Sequence, residues 1–222
     1  MRLWFHRAKI AVTPAETVEL KKACLTVAGH LRAAGYDTPA FSSDTRDLPE
    51  NFRDRLNELK IYAELLDTMV KDGLSPKGHK DLLWKYLAYK RYVPTSDILD
   101  LIEDEDMIEI YNMENYQIFR NLNYFSVTSM SVEDLVSVNW KREFKRSSKI
   151  TLSLVELVLR FATGFFRSTY DCAKIPVHHV QEMVTRHYLI ELRFKYISPI
   201  RYQGKCVALL AVSQAKRVQP SA

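Results

Sequence analysis

The amino-acid sequence predicts an α+β protein in which an N-terminal helical module precedes a domain built on an antiparallel sheet. Three observations carry this. Up to about Ile102 the apolar residues step by four and three, the spacing of one helix face. From Met107 the spacing falls towards two, and the chain closes with two long strand-like runs joined at Gly204. The period changes at the acidic cluster Glu103 to Asp106, which divides the chain into residues 1–104 and 105–222.

Thr13-Pro14-Ala15-Glu16 joins an N-cap hydroxyl, a proline at the first helical position and a glutamate three residues after the cap, so a helix starts there. Its face is Leu20, Cys24, Val27, Leu31 and Ala34, and Gly35 is placed to end it in the left-handed conformation. A second helix is expected from about Glu50 to Asp72, closed by Gly73. Phe52, Leu56, Leu59, Ala63, Leu66 and Val70 repeat the same steps over roughly three heptads. Such a seam fits either a helical hairpin within the chain or an intermolecular coiled-coil dimer. Phe52, Leu56, Leu59, Leu66 and Val70 are therefore the candidate homodimer interface. Ser75-Pro76 opens an aromatic-rich third helix that Pro94 stops, and Thr95 to Asp97 cap a short fourth one through Ile102.

Beyond the acidic cluster, Met107 to Tyr111 is strand-like, Asn112 to Asn115 is a turn, and Tyr116 to Phe119 is the return strand of a hairpin. Helix-like pieces follow at Leu122 to Val127, Ser131 to Val136 and Ile150 to Phe166. His187 to Ile200 alternates Leu189, Glu191, Arg193 and Lys195 with Ile190, Leu192, Phe194 and Tyr196. Cys206 to Ser213 is apolar enough for the middle of a sheet. Residues 167–186 carry no pattern that assigns them.

Composition bounds the function. The 222 residues are 47% hydrophobic and 27% charged, enough to bury a core and unlike a disordered chain. The formal net charge of +5 is uneven: residues 1–105 hold 16 basic and 17 acidic side chains, residues 106–222 hold 16 and 10, so the excess belongs to the second half. Cys24, Cys172 and Cys206 are too few and too scattered for a disulfide framework or a paired-cysteine metal site, which indicates a reducing compartment. His6, Arg7 and Lys9 break the apolar N-terminus, and Glu156 and Arg160 interrupt the most apolar later stretch. A cytoplasmic protein without a membrane span is expected.

The order of elements in the second half resembles a PAS domain, and local strings strengthen the likeness. Residues 109–140, EIYNMENYQIFRNLNYFSVTSMSVEDLVSVNW, are similar to the opening of that family, with Asn121, Phe125, Thr128, Ser129, Met130, Ser131, Glu133, Asp134 and Leu135 at the matching positions. Residues 191–214, ELRFKYISPIRYQGKCVALLAVSQ, are similar to its last two strands. Ser129-Met130 stands where the family has Gly-Tyr, and Val136-Ser137 where Leu-Gly is usual. The resemblance covers Asp106 to Lys216 and implies a five-stranded antiparallel sheet flanked by helices, in a protein that senses a small ligand, binds a cofactor such as haem or flavin, or dimerises. Tyr111, Phe119, Phe125, Trp140, Phe161, Phe194 and Tyr196 would then face the interior, as packing or as the wall of a ligand pocket, with Arg193 or Tyr196 as polar anchor.

Other chemistry is thinly represented. Cys172 lacks the Asn-Cys-Arg setting of a flavin adduct, and His178-His179 with Glu182 and His187 lack two further ligands, so no cofactor and no metal are expected. The run Lys141 to Lys149 is a solvated basic face or a phosphate-attracting one, without a nucleic-acid-binding motif beside it. No phosphate loop, nucleophile elbow or zinc-protease string occurs, so no enzyme is expected. The sequence thus points to a regulatory protein that acts on a protein partner in trans, as a sensor or as a ligand-free adaptor.

Overall fold

The computed structural model describes residues 12–42, 50–114, 116–137, 144–183 and 186–218. Its elements run α1 (Pro14–Ala33), α2 (Phe52–Lys71), α3 (His79–Lys90), α4 (Ile98–Leu101), β1 (Met107–Asn112), β2 (Gln117–Arg120), α5 (Asn123–Val127), α6 (Asp134–Ser137), β3 (Phe144–Lys145), α7 (Ser148–Ala162), β4 (Tyr170–Asp171), β5 (His178–Glu182), β6 (Leu189–Tyr202) and β7 (Lys205–Val218). Mixed α+β architecture with a helical N-terminal region is what the sequence predicts.

The helices begin and end where their caps dictate. Thr13 Oγ1 accepts from Glu16 N at 3.2 Å while Thr13 N donates to Glu16 Oε2 at 2.8 Å, satisfying two otherwise orphaned amides of α1. Gly35, at φ 89°, lets Tyr36 N return to Leu31 O and close the helix. The α2 residues Phe52, Leu56, Leu59 and Leu66 are buried within the chain, where α2 packs against α1, α3, α6 and β2; Val70 is exposed. The intramolecular hairpin accounts for the four buried positions, because their apolar surface is already covered.

All strand pairs are antiparallel, in the order β2-β1-β7-β6-β5-β3, with β4 also paired to β6. The sheet therefore has seven strands among the described residues, not the expected five. The additions are the two-residue strands β3 and β4. β3 adds to the free edge of β5, pairing Phe144 with Glu182 and Lys145 with Gln181, while β4 takes up Tyr196 and Ile197 of the 14-residue β6, which β5 pairs only over Leu189 to Leu192. Between the two stretches Lys195 is bulged, with Phe194 opposite Ser213 and Tyr196 opposite Val212. Strands β4 and β5 also supply structure to the stretch 167–186 that the sequence leaves unassigned.

The central strands are covered on both faces. Ile108 and Ile110 of β1 sit opposite Val212 and Leu210 of β7, and Phe119, opposite Ile110, meets the Tyr62 and Tyr86 rings of α2 and α3 at 5.9 and 4.8 Å. On the other face Met107, Glu109 and Tyr111 sit opposite Ser213, Ala211 and Leu209, beneath α7. The hydrophobic core runs without a break across the boundary at 104/105. Polar ties cross it too: Tyr62 Oη donates to Arg120 O at 2.8 Å, and Lys195 Nζ, which also pairs with Asp106 on its own side at 2.8 Å, reaches Glu103 at 2.7 Å.

Candidate functional site

Between the sheet and α7 lies a cavity of about 80 Å³. Its floor is Met107, Glu109 and Tyr111 from β1, Leu209 and Ala211 from β7, and Leu192, Phe194 and Ile197 from β6. Its roof is Leu154 and Val158, which α7 directs inward because its apolar residues recur at helical spacing. Ser147 fixes where that helix starts, accepting from Ile150 N at 3.3 Å. Val127 and Thr128 close one side, and Phe144 and Arg146 another.

The walls are mostly apolar; Glu109 is the carboxyl among them, and Tyr111, Asn112, Thr128 and Arg146 supply the other polar groups. Glu109 is buried on a central strand, with Oε1 accepting from Tyr111 Oη at 2.6 Å and from Gln117 Nε2. Burial pushes its carboxyl above the usual carboxylate range, outweighing the Tyr111 hydrogen bond and the charges of Arg120 and Arg146. The cavity thus offers a hydrophobic enclosure and one carboxyl group held by its neighbours in a fixed position, the pattern of sites that hold small apolar molecules in a defined orientation.

Of the pocket residues expected from the sequence, Tyr111 and Phe194 line this cavity. Phe119 lies on the opposite sheet face, among α2 and α3. Phe125 is buried against Tyr124, at a ring separation of 5.7 Å, and Phe161 against Phe166, at 5.4 Å. Arg193 is exposed and Tyr196 is half-buried just past the bulge, and neither lines this cavity. The bulge shifts the strict alternation by one residue, putting Ile197 on the cavity face where Tyr196 was expected. Trp140 lies outside the described residues, as do Lys141, Arg142 and Glu143 of the basic run.

Glu109 is the candidate site residue that reading by apolar pattern passes over. Its signal is present in Met107-Ile108-Glu109-Ile110-Tyr111, a charge in mid-strand flanked by β-branched residues, which becomes informative once both sheet faces are known to be covered.

The histidines do not converge. His178 and Glu182 are on strand β5, not a helix; His178 shares a hydrogen bond at 3.0 Å with Pro176 O through Nδ1 and stacks on Phe194. Glu182 is engaged by Ser129 N at 2.8 Å and Ser129 Oγ at 2.6 Å, while His179 faces Glu191. Among the described residues no group of three or more His, Cys, Asp or Glu is placed to hold a metal ion, and no helix is long and apolar enough to cross a membrane. The described part of the basic run is a strand, β3, followed by the cap and first turn of α7, not a continuous helix face. No protein-family model matches the chain, and none of the curated proteins matches it in sequence.

Proposed function

We propose that the protein is a cytoplasmic regulatory sensor with a PAS-like sheet domain, binding a small apolar molecule in the cavity beneath α7 and acting on a protein partner in trans without a catalytic domain of its own. The observation that carries this is the cavity itself: mostly apolar walls from five strands and a helix around one buried carboxyl. An apolar void gains stability when filled, since its lining atoms lack contacts on one side. At about 80 Å³ it is well below the roughly 300–1,000 Å³ of pockets for drug-sized ligands. The occupant is a molecule no larger than a single ring, carrying one hydrogen-bonding group for Glu109.

The signal has a physical route. Glu109 is held by Gln117 of β2, and β2 is tied to α2 through Tyr62 and Arg120. A ligand that re-pairs the Glu109 carboxyl alters the partners of β2 and, through them, the seating of α2, so it shifts the balance between two arrangements of the helices.

The test is a thermal-shift screen of small alcohols, amines, amides and single-ring aromatics. Ala211→Leu, which adds volume to the cavity floor beside Glu109, is expected to abolish any stabilisation seen with the wild-type protein while leaving the fold intact. Stabilisation that persists in Ala211→Leu would place the ligand elsewhere.

An adaptor role is favoured by one separate observation. Leu152, Val155 and Leu159 form an exposed apolar stripe on the outer face of α7, continued by exposed Phe165. If partner docking uses this face, Leu152→Glu with Leu159→Glu removes binding to the partner without changing the small-molecule response.

A further inference from the structure

A groove of about 780 Å³ opens along a different face of α7, between that helix and the chain from Phe166 to His178. Its volume falls within the roughly 300–1,000 Å³ of small-molecule sites, which the cavity beneath the helix does not reach. Ile150 and Leu157, both buried on α7, form the apolar part of its wall together with Phe166, Tyr170, Ile175 and Pro176. The half-buried Phe166 and Tyr170 rings meet at 5.1 Å, tilted by 40°, and give a further flat ring two aromatic surfaces to pack against.

The charged part of the wall is cationic. Lys149, Arg160 and Lys174 line the groove against a single carboxylate, Glu156, to which Arg160 Nη2 donates from one helical turn away. Lys149 and Lys174 enter no ion pair among the described residues, so three cations and one carboxylate leave the groove with two positive charges. His178 adds none. Its Nδ1 lies 3.0 Å from Pro176 O, which can only accept, and burial lowers its pKa, so the ring is neutral at neutral pH. Part of the basic excess of the second half thus gathers here, Lys149 from the basic run and Lys174 from the stretch that the sequence leaves unassigned.

We infer that this groove binds a small organic anion with a planar apolar body, the body packed against Leu157, Phe166 and Tyr170 and the anionic group paired with Lys149 and Lys174. The apolar wall by itself would take a neutral molecule equally well. Charge decides: a cleft lined by one sign of charge and walled by protein of low dielectric favours a ligand of the opposite sign. The only guanidinium on the wall is engaged by Glu156, so the anion meets two ammonium groups. These act as point charges without a planar fork, and they accept a carboxylate or a phosphate. Volume separates this site from the cavity of about 80 Å³ beneath α7, which a body of two fused rings does not enter. The inference does not depend on that cavity holding a ligand.

The test is calorimetric titration of the full chain with naphthoate, naphthyl phosphate and the uncharged naphthamide, at neutral pH and low ionic strength. At least one of the two anions is expected to bind saturably and about tenfold more tightly than the amide. Lys149→Gln with Lys174→Gln removes that advantage, a change of roughly tenfold in Kd, and leaves the amide unaffected. Added salt narrows the same gap. Ser153 is an exposed residue of α7 on the groove wall, so Ser153→Trp fills the groove without disturbing the core and abolishes binding of all three compounds, whereas Ala211→Leu changes none of them. Circular dichroism checks that each variant is folded. Equal affinity for anion and amide, an advantage that survives loss of both lysines, binding insensitive to Ser153→Trp, or no saturable binding of either anion would each overturn the assignment.

Discussion

Burial raises the pKa of the Glu109 carboxyl above its ordinary value. With the folded-state pKa above the unfolded one, the native state binds more protons between those two values, and stability falls as pH rises through that window. Glu182 contributes in the same direction, its burial outweighing the hydrogen bonds from Ser129. Glu109→Gln, which keeps a hydrogen-bonding group of the same shape without the charge, is therefore expected to lessen the loss of stability as pH rises above the ordinary carboxylate range. Urea denaturation at several pH values measures this; an unchanged pH dependence would show that Glu109 ionises in the fold as it does in the unfolded chain.

The cysteines give a second residue-scale outcome. Burial pushes the Cys24 and Cys172 thiols up to about 12, whereas Cys206 is only half-buried. A thiol reagent at neutral pH should label Cys206 first, and label Cys24 and Cys172 only on unfolding. Early labelling of Cys24 would contradict the packing of α1 on α2.

Among the elements, α1 and α7 make complementary predictions. Thr13→Ala removes the capping box of α1 and should cost about 1 kcal/mol. On α7, Leu154→Ala should cost roughly 2–5 kcal/mol because Leu154 is buried at the cavity roof, whereas Leu152→Ala on the exposed face should stay within roughly 0.5 kcal/mol. Equal effects at the two positions would mean that α7 is rotated about its axis relative to the sheet. These are the elements legible in the sequence, because a cap, a helical stripe and a stop residue act within a few positions of one another. Strands β3 and β4 were not legible: two residues carry no period, and each forms because a longer neighbour offers an unpaired edge. The Lys195 bulge is likewise set by partners distant in sequence, Glu103 and Asp106, and it moved Tyr196 off the cavity face.

For the whole molecule the continuous core matters most. Val132 and Glu133 donate backbone hydrogen bonds to Pro39 and Ala40, Val93 and Arg201 exchange two, and Ile108, Ile110 and Phe119 are buried on the sheet face turned to α2 and α3. Residues 1–104 and 105–222 should therefore unfold together, in one transition detected equally by far-ultraviolet circular dichroism and tryptophan fluorescence. Two separated transitions would show that the acidic cluster is a true domain boundary. The same scale explains why the cavity is only partly legible in the sequence: its walls come from β1, β3, β5, β6, β7 and α7, and that meeting is set by the strand order.

The central claim, that the cavity beneath α7 holds a small molecule, is tested most directly by native mass spectrometry of freshly purified protein beside its Ala211→Leu variant. The account predicts a wild-type mass exceeding that of the chain by one small organic molecule, released on denaturation and missing from the variant. A wild-type protein carrying nothing, and unmoved by every candidate in the thermal screen, would contradict it.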